Sequence, residues 1–307
     1  MLKRLLLGPQ RPNTNLTEAV AAMPDPQSPV AVISAGWQEA EGDIEDIHAL
    51  VDRPLVDLEL YHRAERVFAK DETLRSAYRQ RQDRLQELQR LYRMRLQQAM
   101  LAARQIRRAV AASDLIAGEE RHAIAQLRAL DRHHHRRISA VYDEFEERIR
   151  SSDLIAEQTR AIEEALADCT TVIITGGHVL VLLNRLQLFE MRKPLSTRHL
   201  VAWSAGAMVL SDQVVLYHDR TPLGRRDPEL LGPGLGLLPG QIFLPDAKKR
   251  LRQKDAVRTG LFNGRFAPAR CLTLNSGSML HFDGTRLEKA ESVGHLRANG
   301  VITGVAT

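Results

Sequence analysis

Between Asp71 and Ala167 the chain runs for close to a third of its 307 residues without a proline and with a single glycine, Gly118. Proline breaks helices and glycine weakens them, so nothing in this stretch opposes continuous helix. Its apolar residues step by three or four. One seam is Leu85, Leu88, Tyr92, Leu96, Ala99, Ala103, Ile106 and Val110; a second is Leu127, Leu130, His134, Ile138, Val141, Phe145 and Ile149. Two such seams predict long amphipathic helices packed as an antiparallel, coiled-coil-like hairpin. At 1.5 Å per residue, a helix of roughly 40 residues reaches about 60 Å, further than a compact domain is wide. A protruding surface for self-association or a partner protein is expected. Two echoing segments, Ser113-Asp-Leu-Ile-Ala117 and Ser152-Asp-Leu-Ile-Ala156, read as helix starts, with Ser or Asp as the cap and acids downstream suiting the helix dipole.

On either side the pattern is that of a parallel sheet. Val30-Ala-Val-Ile-Ser-Ala35-Gly36 is a β-branched run closed by glycine, a helix is expected around Asp43 to Val51, and Leu55 to Leu60 alternates like a second strand. After Asp168 come Thr170-Thr-Val-Ile-Ile-Thr175-Gly-Gly177, a helix over Val179 to Met191, and the strand His199-Leu-Val-Ala-Trp203. Further strands are expected at Val214 to Tyr217, Gln241 to Leu244, Cys271 to Leu274 and Met279 to Phe282. Residues 30–70 and 168–307 are thus expected to form one α/β domain, with residues 71–167 inserted in it. The first 29 residues carry five prolines, Pro9, Pro12, Pro24, Pro26 and Pro29, and are expected as a mobile tail.

A composition of 44% hydrophobic and 26% charged residues excludes a disordered chain. No apolar run approaches the roughly 20 residues that cross a bilayer. The basic opening, Met1 to Gly8, has too short an apolar stretch, Leu5 to Leu7, for a signal peptide, and the chain is expected to be cytoplasmic. The formal charge of +5 is concentrated between Asp71 and Arg150, where arginines are many and lysine is absent. Arg79, Arg81, Arg84, Arg90, Arg93, Arg95, Arg104, Arg107 and Arg108 could contact phosphates. Interleaved acids such as Asp83, Glu87, Glu119, Glu120, Glu144, Glu146 and Glu147 instead describe a salt-bridged helix surface, so nucleic acid is not the expected partner.

Cys169 and Cys271 cannot form a disulfide framework and have no zinc-ligand spacing, and each borders an apolar run as a small buried hydrophobe would. His133-His134-His135 and His122 do not make a metal site, because consecutive helical residues point about 100° apart. No phosphate-binding glycine loop follows a strand, and no cofactor is expected.

The sharpest local feature is Leu200-Val-Ala-Trp-Ser204-Ala-Gly206-Ala207. An apolar strand that enters a serine and continues at once through small residues into a helix is the sequence form of a nucleophile elbow, although Ala202 stands where glycine is usual. A structural turn without catalysis has the same form. The order Thr175-Gly-Gly177, Ser204-Ala-Gly-Ala207, then Gly234-Leu-Gly-Leu-Leu-Pro239-Gly240 resembles the dipeptidase E and cyanophycinase family of serine peptidases. The resemblance is loose over residues 30–60, closer over 168–284, and absent from the helical stretch. It implies a flavodoxin-like, class I glutamine amidotransferase-like α/β fold and hydrolysis of a short peptide or amide. It further implies Ser204 as nucleophile, an oxyanion hole from the backbone N–H groups of Ala205 and the Gly176-Gly177 loop, and Asp219 as the acid of the triad.

The departures matter as much. The family's histidine follows the Leu-Pro segment, where this chain reads Leu238-Pro-Gly-Gln-Ile-Phe-Leu-Pro245-Asp246, placing Asp246 at the position of the base. An ordinary aspartate is a far weaker base than imidazole, and loss of the base costs several orders of magnitude in rate. His178, at the edge of the double-glycine loop, and His218 are the substitutes within reach of such a site. Asn275-Ser-Gly-Ser278 also departs, since acidic residues are usual there. The alternatives are a serine hydrolase with a displaced base or an inactive peptidase-like protein acting through its helices. A cysteine-dependent glutaminase is a weaker reading, because the elbow residue is serine and neither cysteine lies in an elbow.

Overall fold

A computed structural model describes residues 2–219 and 227–305. The first strand, β1 (Lys3–Leu7), lies in the middle of the central sheet, and α1 (Leu16–Ala21) follows it. Then come β2 (Val30–Ile33), a 3-10 turn over Ala35–Ala40, α2 (Glu45–His48), β3 (Leu55–Asp57) and α3 (Leu60–Lys70). Three helices follow in succession: α4 (Glu72–Arg108), α5 (Ser113–Arg150) and α6 (Asp153–Ala165). The sheet resumes with β4 (Thr171–Ile174), α7 (Val179–Leu188), α8 (Arg192–Ser196), β5 (His199–Trp203) and α9 (Ala205–Val209). The remainder is β6 (Gln213–Leu216), β7 (Glu229–Pro233), β8 (Gln241–Pro245), α10 (Ala247–Arg250), α11 (Ala256–Phe266), β9 (Arg270–Asp283), β10 (Arg286–Leu296) and β11 (Ile302–Gly304).

Among the described residues the main sheet has nine strands in the order β11-β10-β9-β1-β5-β4-β2-β3, with β8 also paired to β9, while β6 and β7 form a separate antiparallel pair. Strands β3, β2, β4, β5 and β1 are parallel; β1 meets β9 antiparallel. The α/β expectation holds. β2 and β4 are buried at every residue, as parallel strands covered on both faces must be.

Residues 1–29 are not a mobile tail over their described part. Leu5, Leu6 and Leu7 are at most 2% exposed, Arg4 stands opposite Leu200 of β5, and Lys3 stands opposite Asp283 of β9. Three leucines are enough for a buried central strand. The prolines punctuate the loops on either side of α1. A second correction concerns the alternation over Leu55 to Leu60, which ends at Asp57. Glu59 takes left-handed backbone angles, φ 49° and ψ 42°, its N–H donates to Asp57 Oδ1 at 3.1 Å, and Leu60 opens α3.

Helices α4 and α5 form the expected antiparallel hairpin: Arg84 pairs with Glu144, Tyr92 bonds Asp131, and Arg107 pairs with Glu120. Every residue of the second seam is buried. The hairpin does not protrude, however. Its buried residues belong to the same apolar core as the sheet, and α5 packs against β7 and α11.

One reason is a buried polar cluster that the apolar pattern did not reveal. Asp131 accepts from Arg265 Nε at 2.6 Å, from Arg265 Nη2 at 2.7 Å and from Tyr92 Oη at 2.8 Å, and Arg265 Nη1 donates to Pro228 O at 2.6 Å. His134 stacks on Tyr92 with centroids 3.9 Å apart, and its Nε2 lies 2.8 Å from Gln89 Oε1. Burial pushes the His134 imidazole down to about 4, despite the nearby Asp131. It is a neutral core residue, and no metal-binding group of side chains occurs among the described residues.

The two echoing segments do start helices, but not by the expected side-chain capping. Ser152 Oγ donates to Asp71 Oδ2 at 2.8 Å, and it is Asp71 that caps α4 by accepting from Leu74 N. The arginines largely meet acids, as the interleaving implied: Arg75 pairs with Glu72, Arg90 with Glu87, and Arg150 with Glu146 and Glu190. Both cysteines are buried and free.

Candidate active site

Strands β2, β4 and β5 end side by side, and their following loops meet at one edge of the sheet, where open α/β folds form sites. At the end of β5, Ser204 has φ 51° and ψ −117°. A non-glycine residue held in such a sparsely populated region stores about 1–3 kcal/mol, which the surrounding packing must enforce. The next residues show how. Ala205, Gly206 and Ala207 are buried, and a side chain on Gly206 would fall against the Ile174 carbonyl and within 2.7 Å of Thr175 O. Only small residues let α9 pass this closely over the end of β4, and that passage turns Ser204 out of the strand.

The neighbouring loop is equally constrained. A Cβ on Gly176 would lie 3.1 Å from Ser204 Cβ, and Gly177, at φ 107°, lies against the backbone of Gly36 in the turn after β2. His178 N donates to Gly36 O at 2.7 Å and locks the two loops together. The Ala205 amide opens α9 and has no acceptor within that helix. Gly177, Ser204 and Ala205 all border one cavity of about 450 Å³.

The same cavity is bordered by Tyr217 and His218 after β6, by Asp227 and Glu229 around the start of β7, by Arg93 of α4 and by Arg250 of α10. Arg93 Nε donates to Glu229 Oε2 at 2.6 Å, and Asp227 is paired with Arg104. Among the described residues Arg250 has no ionic partner. Burial holds the Tyr217 phenol well above its ordinary range, so it stays neutral, and its hydroxyl donates to Pro245 O.

The residues singled out from the sequence divide clearly. Ser204, Gly177, Ala205 and His218 share the cavity, with Gly176 packed behind Ser204. Burial alternates along Tyr217, His218 and Asp219, so that His218 is exposed while Asp219 is buried. Asp219 does not border the cavity: its carboxylate pairs with Arg258 and accepts from Arg252 N at 3.0 Å. His178 is occupied as the cap of α7, its Nδ1 accepting from Val181 N at 3.3 Å, and it borders an adjoining cavity instead. Asp246 also falls outside the cavity, which Pro245 borders. It sits at φ 58° and ψ 34° between β8 and α10, with its carboxylate 3.8 Å from Lys249 Nζ. Among the described residues Ser204 Oγ makes no hydrogen bond. Sequence reasoning missed Glu229 and Arg250 and gave Arg93 no role here. Tertiary packing of α4, β7 and α10 brings these charges to the cavity, and no local motif announces it.

The sequence matches the family described as Peptidase family S51 over residues 125–290, more than half of the chain, from within α5 to within β10. A search of curated proteins returns no match. Among solved structures, a peptidase from an acI-B1 Actinobacterium is similar over 97% of this chain and 91% of that chain, at 13% identity and a TM-score of 0.44. No helix among the described residues is long and apolar enough to cross a membrane. The sequence match over residues 125–290, which includes the Ser204 turn and its glycine loop, makes this chain a member of peptidase family S51.

Proposed function

We propose that this protein hydrolyses short peptides or related amides through Ser204. The observation that carries the reading is the backbone of Ser204, φ 51° and ψ −117°, enforced by Gly206 at the rim of a cavity that also contains an exposed imidazole, His218. Ser204 Oγ attacks the scissile carbonyl carbon while His218 takes the hydroxyl proton. The tetrahedral oxyanion is met by the Ala205 N–H and the Gly176-Gly177 loop. Collapse expels the amine, which takes the proton from His218, and water then cleaves the acyl-serine by the same route in reverse. Arg250 supplies a positive charge for a carboxylate of the peptide. No metal or organic cofactor enters this scheme.

A fluorophosphonate probe and a peptide-library hydrolysis assay test it together. Labelling and hydrolysis by the wild type, both lost in Ser204→Ala, support the enzyme; neither activity in the wild type sinks it.

A second reading is favoured by a specific observation: the buried Asp219 carboxylate is engaged by Arg258 and by Arg252 N. On that reading the site is a remnant, and the protein acts by assembly or partner binding through the outer face of α4. There Leu91, Met94 and Leu101 are 45–57% exposed at helical spacing.

A further inference from the structure

The cavity beside Ser204 does not end at α7. It shares Arg93, Gly177, Val179 and Leu216 with a second cavity of about 830 Å³, so the two form one continuous cleft. The helical hairpin walls the second part: α4 supplies Leu85, α5 supplies Ile138, α7 supplies Val179 and Leu183, and β7 supplies Leu231. The space is a cleft half open to solvent, with Asp83, Glu87 and Arg90 exposed at its rim. Its volume is typical of ligand sites.

We infer that this second cavity is a subsite for an apolar side chain of the peptide, on one side of the scissile bond. The inference rests on the reading of Ser204 as the point where the peptide is cleaved. The walls named above are aliphatic, and the charges at the rim largely cancel, with Glu87 and Arg90 paired at 2.6 Å. The substrate class that fits is a peptide longer than a dipeptide, carrying leucine-like residues near the cleaved bond. Helix α4 lies wholly outside the residues matched to the family, so Leu85 adds to this subsite a wall that the matched residues, which supply Ile138, Val179, Leu183 and Leu231, do not contain.

The test uses full-length Ser204→Ala protein and two fluorescent pentapeptides, one alternating alanine with leucine and the other alanine with glycine, followed by fluorescence polarisation. Burying one leucine side chain is worth enough for about tenfold or more in affinity. The leucine peptide is expected to bind at least about tenfold tighter than the glycine peptide. Adding Leu85→Lys, on the half-exposed face of α4, is expected to bring the two within about twofold while circular dichroism and thermal stability stay unchanged. Equal binding of the two peptides, or a leucine preference that survives both Leu85→Lys and a cavity-filling Val179→Trp, overturns the subsite. Because binding is read without cleavage, the outcomes separate cleanly. A leucine preference lost in Leu85→Lys, with no Ser204-dependent hydrolysis in wild type, keeps the subsite and discards the catalytic reading.

Discussion

The Asp219 carboxylate is paired with the Arg258 guanidinium inside the protein, the two residues being 2% and 3% exposed. Removing one partner of a buried pair costs up to about 3–5 kcal/mol, offset here in part because Arg258 Nη1 also lies 3.7 Å from Asp227. Asp219→Asn is therefore expected to lower thermal stability markedly in calorimetry. At 25 °C the surviving folded protein should still react with a fluorophosphonate within about twofold of wild type. An acid that oriented the catalytic imidazole would instead show a loss of several orders of magnitude on the same substitution.

His218 and His178 separate by the same logic. His218 shares the cavity with Ser204, whereas His178 is tied up as the cap of α7. His218→Ala is expected to reduce kcat/KM for a cleaved peptide by about a hundredfold or more, the usual contribution of a positioned base. His178→Ala should mainly lower the melting temperature. A reversed pattern would transfer the role of base to His178.

Two glycines make opposite predictions for the same substitution. In Gly206→Ala the new methyl meets the carbonyls of Ile174 and Thr175, which cannot recede without moving β4. A loss of roughly 2–3 kcal/mol in urea unfolding is expected, together with loss of probe labelling, since the turn at Ser204 depends on this approach. Gly118 lies in α5 with nothing within 4 Å of its would-be side chain. Gly118→Ala should stabilise by about 0.5–1 kcal/mol.

The cluster around Asp131 joins the hairpin to α11 and should behave as a unit. Asp131→Ala strands a buried guanidinium and is expected to destabilise by about 3–5 kcal/mol. Combining it with Arg265→Met removes the stranded charge and should recover a large part of the loss. Additive losses in this double-mutant cycle would mean that the two residues do not depend on each other.

Acid should loosen the same region. The folded His134 imidazole titrates at about 4 because it is desolvated, against about 6.5 when unfolded. Between those values the unfolded chain binds the extra proton, so stability rises with pH through this window and is lost as pH falls from about 6.5 towards 4. The full contribution is on the order of 3 kcal/mol. Denaturant midpoints measured across this range should flatten in His134→Gln relative to wild type.

The parts of the fold that could be read from the chain were those fixed by local periodicity. Leu127 to Ile149 gave the buried stripe of α5, and the run His199 to Trp203 gave β5 to the residue. Ser204 with its small followers gave the strained turn, because sterics at Gly206 leave few other ways to pass a helix over a strand end. What escaped depended on distant partners. Lys3 to Leu7 has no alternation or turn signal that distinguishes a central strand from a tail, since its two neighbours lie some two hundred residues or more along the chain. The expected roles of Asp219 and Asp246 came from position in a motif, whereas the direction of each carboxylate was decided by Arg258 and by the left-handed turn before α10. Arg250 and Glu229 reached the site through packing alone.

The position of β1 also sets the order in which the molecule can be completed. Its residues pair on one side with Leu200 to Trp203 and on the other with Met279 to Asp283, so the earliest strand to be synthesised is among the last to be enclosed. The α4–α5 hairpin, by contrast, is held by contacts close in sequence and can form while the ribosome is still supplying the sheet. Pairings of such long separation are slow to close. Until residue 283 has emerged, three consecutive leucines at the start of the chain are left uncovered, and any chaperone that shields this protein during synthesis has its first task there.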